Sequence, residues 1–432
     1  MSLQKMLLNW TGVYVFILIA CLILSVYIHF VEDWNALDAY NEQLLKEGIN
    51  TDTMHSNVEV DLNEDVDVVF TWVNGSDPEF NSKLHAHLSS INRHNTEVME
   101  LNRYFDVGTL KYCLRSIELY ASWIRNIFIV TNGQVPSWLR KKHPKVIIVT
   151  HREIFANKSH LPTFASPAIE SNLYRIPGLS KRFIYMNDNI MLTSQIQLSN
   201  FITIAGKYKI KFMSERPFMC NKLCEVDRVN NGLCDQDCMT ESCEMDGDDC
   251  LGKTPPKYPG TDGAFMFDSW MGSVMHTHFL LNKWFGPKDR YIAEHGAHLF
   301  DRTIINMLHK RYPKEFEMTS SHKTRHHNSI QFQFMFIQYL KETGRIDAAT
   351  EMKNARNKCC HKVKLLLDNR SHESRKKQIE ICELEIKLKK PTYLVVSNSF
   401  SMAMSDERKQ MIVNDVEEFL DHLYPEKSSF EK

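Results

Sequence analysis

Asp188 stands between two amides in the stretch FIYMNDNIML (183–192), where an apolar, strand-like run breaks and then resumes. That pattern reads in two ways. It is the metal-binding end of a catalytic strand, or a turn in which Asn187, Asp188 and Asn189 satisfy nearby backbone groups. A second concentration of reactive side chains lies downstream. Of eleven cysteines, six crowd into 220–250: Cys220, Cys224, Cys234, Cys238, Cys243 and Cys250. An even, dense set reads as disulfides in an oxidising compartment. Zinc is the rival, but the cluster holds no His and no paired CxxC, and its aspartates suit calcium better. Three sequons, at Asn74, Asn157 and Asn369, fit the same compartment.

Elements must exist to position these groups. Residues 66–73 (VDVVFTWV) are β-branched and aromatic and stop at Asn-Gly, as a buried strand does. Residues 125–136, 145–151 and 182–188 repeat the pattern. Leu110, Leu114, Ile117 and Ala121 recur at helical spacing within 108–123. Strands alternating with helices predict an α/β domain with a largely parallel, Rossmann-like sheet. Ligands of such sheets bind beyond the carboxyl ends of the strands, where Asp188 falls. There is no GxGxxG and no P-loop pattern. Residues 298–312 and 329–342 read as helices, 352–390 as a charged helix-prone segment, and 391–398 as a late strand returning to the sheet. Ser405 caps a last helix with Ile412, Val416, Phe419 and Leu423 as its buried stripe.

The bulk numbers bound the class. The chain has 432 residues, 43% hydrophobic content and a net charge of -1. It is globular, with no basic excess for binding nucleic acid. Residues 11–30 are apolar for about the 20 residues that span a bilayer as a helix. Lys5 precedes the run, while Glu32 and Asp33 follow it, which predicts a cytosolic tail over 1–10 and an uncleaved signal anchor rather than a cleaved signal peptide. The polar residues 31–64 read as a stalk.

Three long stretches are more specific: DVVFTWVNGSDP (67–78), LKYCLRSIELYASWIRNIFIVTNGQVPSWL (110–139) and LPTFASPAIESNLYRIPGLSKRFIYMNDNIML (161–192). With EHGAHLFDR (294–302) and SSHKTRHHNSIQFQF (320–334), they resemble the conserved regions of Stealth-family hexose-1-phosphate transferases, a family that includes lysosomal-enzyme N-acetylglucosamine-1-phosphotransferases. Residues 391–430 resemble the fourth region more weakly. The Cys cluster resembles a Lin-12/Notch repeat. That resemblance implies pairs Cys220–Cys243, Cys224–Cys238 and Cys234–Cys250, and calcium at Asp235, Asp246 and Asp249, although Met239 stands where the repeat usually has Asn. The organisation implied is catalytic over 65–215, Notch repeat over 216–252, catalytic again over 263–345, a charged segment over 346–390, and a C-terminal strand and helix over 391–432.

The Stealth resemblance implies transfer of N-acetylglucosamine-1-phosphate, or another hexose-1-phosphate, from a UDP-sugar to a mannose hydroxyl on high-mannose glycoproteins such as lysosomal enzymes. It implies Mg²⁺ or Mn²⁺ and a single-pass type II protein of the Golgi membrane, as a homodimer or with an accessory subunit. By the same resemblance Glu170, Asp188, Asn189, His295 and Arg325 are catalytic, with His295 a candidate base and Arg325 suited to phosphate. Trp72, Arg115, His298 and Lys323 are assigned to substrate, as is Asp67 for uridine or ribose. Family members carry Asn-Asp-Asp where this chain has Asn187-Asp188-Asn189. An amide brings no charge and cannot act as a base. The alternative is therefore a non-catalytic relative or a Notch-repeat interaction module.

Overall fold

The apolar runs become strands, buried on both faces at the centre of the sheet and partly exposed at the edge strand β3. In the computed structural model, β1 (Asp67–Thr71), β2 (Ile127–Thr131), β3 (Val146–Thr150), β4 (Arg182–Asn187) and β6 (His298–Asp301) form one sheet in the order β3-β2-β1-β4-β6. The structure describes residues 59–90, 101–212, 224, 234, 235, 238, 269–286, 288–348, 362–367, 371–398 and 404–432. Val60–Lys432 is one compact unit. β1 pairs in parallel with β2 and β4, and only β6 is antiparallel. Val68, Val69 and Phe70 have no exposed surface, as expected where helices cover both faces of a parallel sheet.

The chain runs outward from β1 to β2 and β3, then returns to place β4 on the other side of β1. The gap between the carboxyl ends of β1 and β4 is thus the topological switch point, where doubly wound sheets receive ligands. Helices α1 (Pro78–Ser90), α2 (Thr109–Tyr120), α3 (His151–Ile154) and α4 (Ser166–Glu170) follow these strands. Farther on come α5 (Ser269–Phe285), α6 (Arg302–Arg311), α7 (Pro313–Ser321) and α8 (Phe332–Glu342).

Three expectations need correction. Residues 298–312 are not one helix: 298–301 are the edge strand β6, and the Asp301 side chain accepts from Thr303 N–H to cap α6. The charged segment contains a strand, β7 (Lys362–Leu367), before α9 (His372–Lys389). The late strand β8 (Tyr393–Asn398) does not return to the large sheet, because β6 already occupies the free edge of β4. It forms a second sheet, ordered β5-β8-β7, with β5 (Ile190–Leu192) and β7. Helix α10 (Asp406–Leu423) has its expected cap at Ser405, whose side chain accepts from Arg408 N–H.

The membrane expectation also changes. Among the described residues, no helix is long and apolar enough to cross a membrane. Residues 11–30, on which the Golgi type II placement rested, lie outside the described residues, as do 1–10, most of the stalk and most of the Cys cluster. The structure therefore supplies no spanning helix for that localisation to stand on. Cys224 and Cys238 are joined in a disulfide, and Cys234 is also disulfide-bonded. Cys220, Cys243, Cys250, Asp246, Asp249 and Asn369 lie outside the described residues.

One buried ion pair fastens the C-terminal segment to α2. Arg115 Nε and Nη2 donate to the two carboxylate oxygens of Glu431 at 2.8 and 2.9 Å, while Nη1 donates to Asp421 and the Tyr424 carbonyl. Burial opposes ionisation of Glu431, yet its hydrogen bonds from Arg115 and Ser428 hold its carboxyl below the usual value. This stabilisation is present above the ordinary carboxylate range and fades as pH falls through it. Arg115→Ala leaves the Glu431 charge buried and unpaired. We expect it to lower stability by about 3–5 kcal/mol in urea unfolding, a loss that shrinks in acid.

Candidate functional site

The register of β4 decides which side chains meet. Tyr185 lies opposite Val69 of β1 and opposite His298 of β6, and Asn187 lies opposite Thr71. Strand alternation puts Thr71, Tyr185 and His298 on one face of the sheet. There the Tyr185 hydroxyl is 3.0 Å from Thr71 Oγ1 and donates to Glu170 Oε1 at 3.3 Å. Glu170 ends the short helix α4, and Ser166 begins it. Arg325 Nη2 donates to Ser166 Oγ at 3.1 Å, which brings the guanidinium from the 322–329 loop to the same helix.

Glu170 is 7% exposed. Burial pushes its carboxyl up to about 7, although the Arg325 charge and the Tyr185 hydrogen bond pull it down. A carboxyl poised near neutrality beside a cation is uncommon outside functional sites. Arg325 does not stand alone. The imidazoles of His322 and His326 stack at 4.5 Å, and those of His326 and His327 at 4.2 Å. His322 Nδ1 lies 2.8 Å from Ser329 Oγ, and burial followed by its His neighbours pulls this imidazole down to about 4. Lys323 donates to the Ser159 carbonyl at 2.9 Å, at the rim of this basic wall.

In the turn that ends β4, burial and then the Asp106 charge push Asp188 up to about 7, and the Asp188 charge is also felt by Tyr185. Asp106 is itself raised by burial and is held by the Trp72 indole N–H at 3.0 Å and Gly108 N–H at 2.8 Å. Gly108, at φ 80°, adopts the left-handed conformation that lets this tight turn enter α2. The Cys113 thiol donates to the Asp188 carbonyl at 3.2 Å and fixes the turn from the α2 side. So Trp72 reaches the site through Asp106, a residue that the sequence did not single out. Tyr185 was missed too, since it reads as one more aromatic in a buried strand.

Asn189 does something an aspartate could not. Its amide donates to the Val396 carbonyl at 2.9 Å, next to the backbone bond from Val396 N–H to the Asn189 carbonyl. Asn189 Oδ1 is buried with no hydrogen-bond partner. His295 and His298 lie just before and at the start of β6. Burial, with Lys362 and Lys364, pulls His295 down to about 4; burial, with His295, does the same to His298. Both are uncharged at neutral pH and weaker bases than free imidazole.

Two assigned residues lie elsewhere. Asp67 sits at the amino end of β1, away from the switch point. Its carboxylate is taken up by Arg125 at 2.8 and 2.6 Å, Ser180 N–H at 2.7 Å and Asn126 N–H at 3.1 Å. Arg115 is the buried bolt to Glu431. Of the sequons, Asn157 Oδ1 accepts from both Ser159 N–H and Ser159 Oγ to cap a short turn, and Asn74 Oδ1 accepts from Ser76 N–H.

The residues also bear on a divalent metal. Among the described residues, no group of three or more His, Cys, Asp or Glu side chains is placed to hold one. The turn instead offers the Asp188 carboxylate, repelled by Asp106, and the orphaned Asn189 Oδ1. Hard oxygen donors in that number fit a Mg²⁺-type ion, which takes one or two protein carboxylates and draws the rest of its shell from phosphates and water.

Comparison with known proteins matches the segments that carry these residues. Stealth protein conserved region 1 matches residues 64–90, region 2 matches 103–210 and region 3 matches 294–342. Those three segments carry β1, β4, β6 and every side chain of the two clusters. The N-acetylglucosamine-1-phosphotransferase subunits alpha/beta of Mus musculus are 47% identical over 158 residues, covering 37% of this chain and 13% of theirs. A capsular polysaccharide phosphotransferase of Neisseria meningitidis serogroup A is 29% identical over 398 residues, 91% of this chain and 62% of its own. An exopolysaccharide phosphotransferase of Streptomyces coelicolor is 48% identical over 141 residues, 33% of this chain and 23% of its own. The chain thus carries Stealth conserved regions 1 to 3 and is homologous to sugar phosphotransferases, while the matches span less than two thirds of each of these relatives.

The Asn189 contact yields a test. In Asn189→Asp a carboxylate faces the Val396 carbonyl. We expect a loss of about 1–3 kcal/mol at neutral pH. A carboxyl raised in the fold binds its proton more tightly than in the unfolded chain, so the loss is recovered as pH falls. Thermal unfolding of both proteins across acid and neutral pH checks this; a variant as stable as wild type throughout overturns it.

Proposed function

We propose that the chain is a phosphotransferase that moves N-acetylglucosamine-1-phosphate, or another hexose-1-phosphate, from a UDP-sugar to a sugar hydroxyl and releases UMP. A mannose hydroxyl on a high-mannose glycoprotein glycan is the first acceptor to test. The observation that carries this reading is Glu170: a buried carboxyl at about 7, beside Arg325, at the switch point of a doubly wound sheet.

In the transfer, the acceptor hydroxyl gives its proton to the Glu170 carboxylate as its oxygen bonds to the β-phosphorus. The bond from that phosphorus to the bridging oxygen breaks, and UMP leaves with the electron pair. Glu170 is the better general base because its pKa lies near operating pH, whereas His295 and His298 sit at about 4. Those imidazoles, uncharged, offer hydrogen bonds to sugar hydroxyls. Arg325 grips phosphate oxygens in bidentate fashion, with Lys323 and His322 behind it. Tyr185 holds the Glu170 oxygen in place. A divalent cation at Asp188 and Asn189, when bound, supplies charge neutralisation for the diphosphate. Asn189 also gives the second reading its support. Its amide is spent on Val396, as a retained structural role in a non-catalytic relative would have it.

UMP release from UDP-sugars, with acceptor present, separates the two readings. We expect release that chelation of divalent cations abolishes. Glu170→Gln should reduce it about 100-fold or more. kcat/KM should rise with pH through about 7 as Glu170 ionises. Tyr185→Phe removes a bond that lowers the Glu170 pKa and should move that limb to higher pH. A carboxyl raised by burial costs stability once ionised, so Glu170→Gln should also raise Tm above pH about 7. No UMP release from any UDP-sugar tried would sink the proposal.

A further inference from the structure

A cavity of ≈ 260 Å³ lies between the 200–211 segment, the start of β6 and the start of β8. Its wall carries Phe201, Lys209, Lys211, Glu294, His298 and Tyr393. The wall is braced by a hydrogen bond from Glu294 N–H to the Lys211 carbonyl at 2.8 Å and by a β-bridge between Phe212 and Ala293. Two ammonium groups meet one carboxylate there, and that carboxylate is shared. Glu294 also pairs with Lys362 at 3.4 Å, outside the wall. Lys209 spends one donor on the Ser199 carbonyl at 2.8 Å. Among the described residues Lys211 faces Glu294 as its one opposing charge, and burial holds its ammonium below the usual lysine value. Among the described residues, the cavity wall therefore carries positive charge that its own groups do not neutralise.

The rest of the wall suits a sugar ring. Phe201 and Tyr393 are buried, at 6% and 5% exposure, and offer apolar faces to the C–H side of a pyranose. The volume falls below the ~300–1,000 Å³ of pockets for drug-sized ligands and suits one ring. We propose that this cavity binds a single monosaccharide unit bearing an anionic group, with its ring against Phe201 and Tyr393 and its charge on Lys211 and Lys209. His298 belongs both to this wall and to the β6 position opposite Tyr185, whose hydroxyl reaches Glu170. The bound unit is a neighbour of the reacting sugar on an acid-bearing acceptor glycan, which an unmodified high-mannose glycan is not. That role rests on the transferase reading; the binding does not.

The test titrates the full chain with glucose 6-phosphate, glucuronate and glucose by ligand-observed NMR. Both anions should bind saturably, and glucose about 10-fold more weakly or worse. Lys211→Met should abolish the preference for the anions. Gly296→Leu should weaken all three, since a Cβ at Gly296 already comes within 3.7 Å of the Tyr393 ring and a larger side chain fills the space. Glu170→Gln should leave binding unchanged. Equal binding of glucose and the anions overturns the proposal, as does binding that survives Lys211→Met and Gly296→Leu but is lost in Arg325→Ala. UMP release measured in the same samples reads the transferase separately. Its absence beside Lys211-dependent binding supports the anion site and removes the acceptor role.

Discussion

Strand β4 is held between a parallel neighbour and an antiparallel one, and its register against both admits no slack. A slip of one residue would turn Tyr185 away from Thr71, Glu170 and His298 and send Ile184 or Met186 into the site. The apolar residues that alternate with Tyr185 are almost fully buried on the other face, so such a slip is prevented by core packing rather than by the site's own weak polar contacts. The chemistry borrows its precision from the hydrophobic pattern. The turn that follows inherits the same precision, because the Cys113 thiol and the β5–β8 pairing take it up directly.

Around that strand the protein maintains two carboxyls, Glu170 and Asp188, in surroundings that oppose their ionisation. Each has its own principal neighbours, Arg325 and Tyr185 for Glu170 and Asp106 for Asp188, while both carboxyls act on the Tyr185 hydroxyl. Water around either group would return it to the ordinary range. The cost of keeping water out falls on the fold, whose core must be stable enough to carry two acids in unfavourable surroundings. The histidines show the same burial with the opposite sign, since loss of hydration suppresses a cation as it suppresses an anion.

Much of the large sheet was legible in the sequence because β1, β2, β3 and β4 are unbroken β-branched or aromatic runs ended by turn residues. β6 was not, because a four-residue strand that leads straight into a helix shares its apolar spacing. β7 was hidden by its lysines, which alternate with buried Val363 and Leu365. The partners of β8 depend on which strand reaches β4 first, and no local pattern encodes that. In the site, the acids and the arginine stand out by charge and motif. Tyr185 and Asp106 do not, for their importance arises from pairing across the sheet and from a turn before α2. Asp67 misled for the reverse reason: its charge is conspicuous, yet it satisfies backbone groups at the far end of the strand.

The clasp between Arg115 and Glu431 joins positions 316 residues apart. A chain made from its amino end completes α2, and with it β1 and β4, long before Glu431 exists. Until then the Arg115 guanidinium has no carboxylate to bury against, and the α2 surface that receives the C-terminal segment stays open to water. Closure of the α2 face therefore waits until Glu431 has been made. Chains that stop before Glu431 are left with an exposed cation on an apolar surface, a state that separates them from chains in which the clasp has closed.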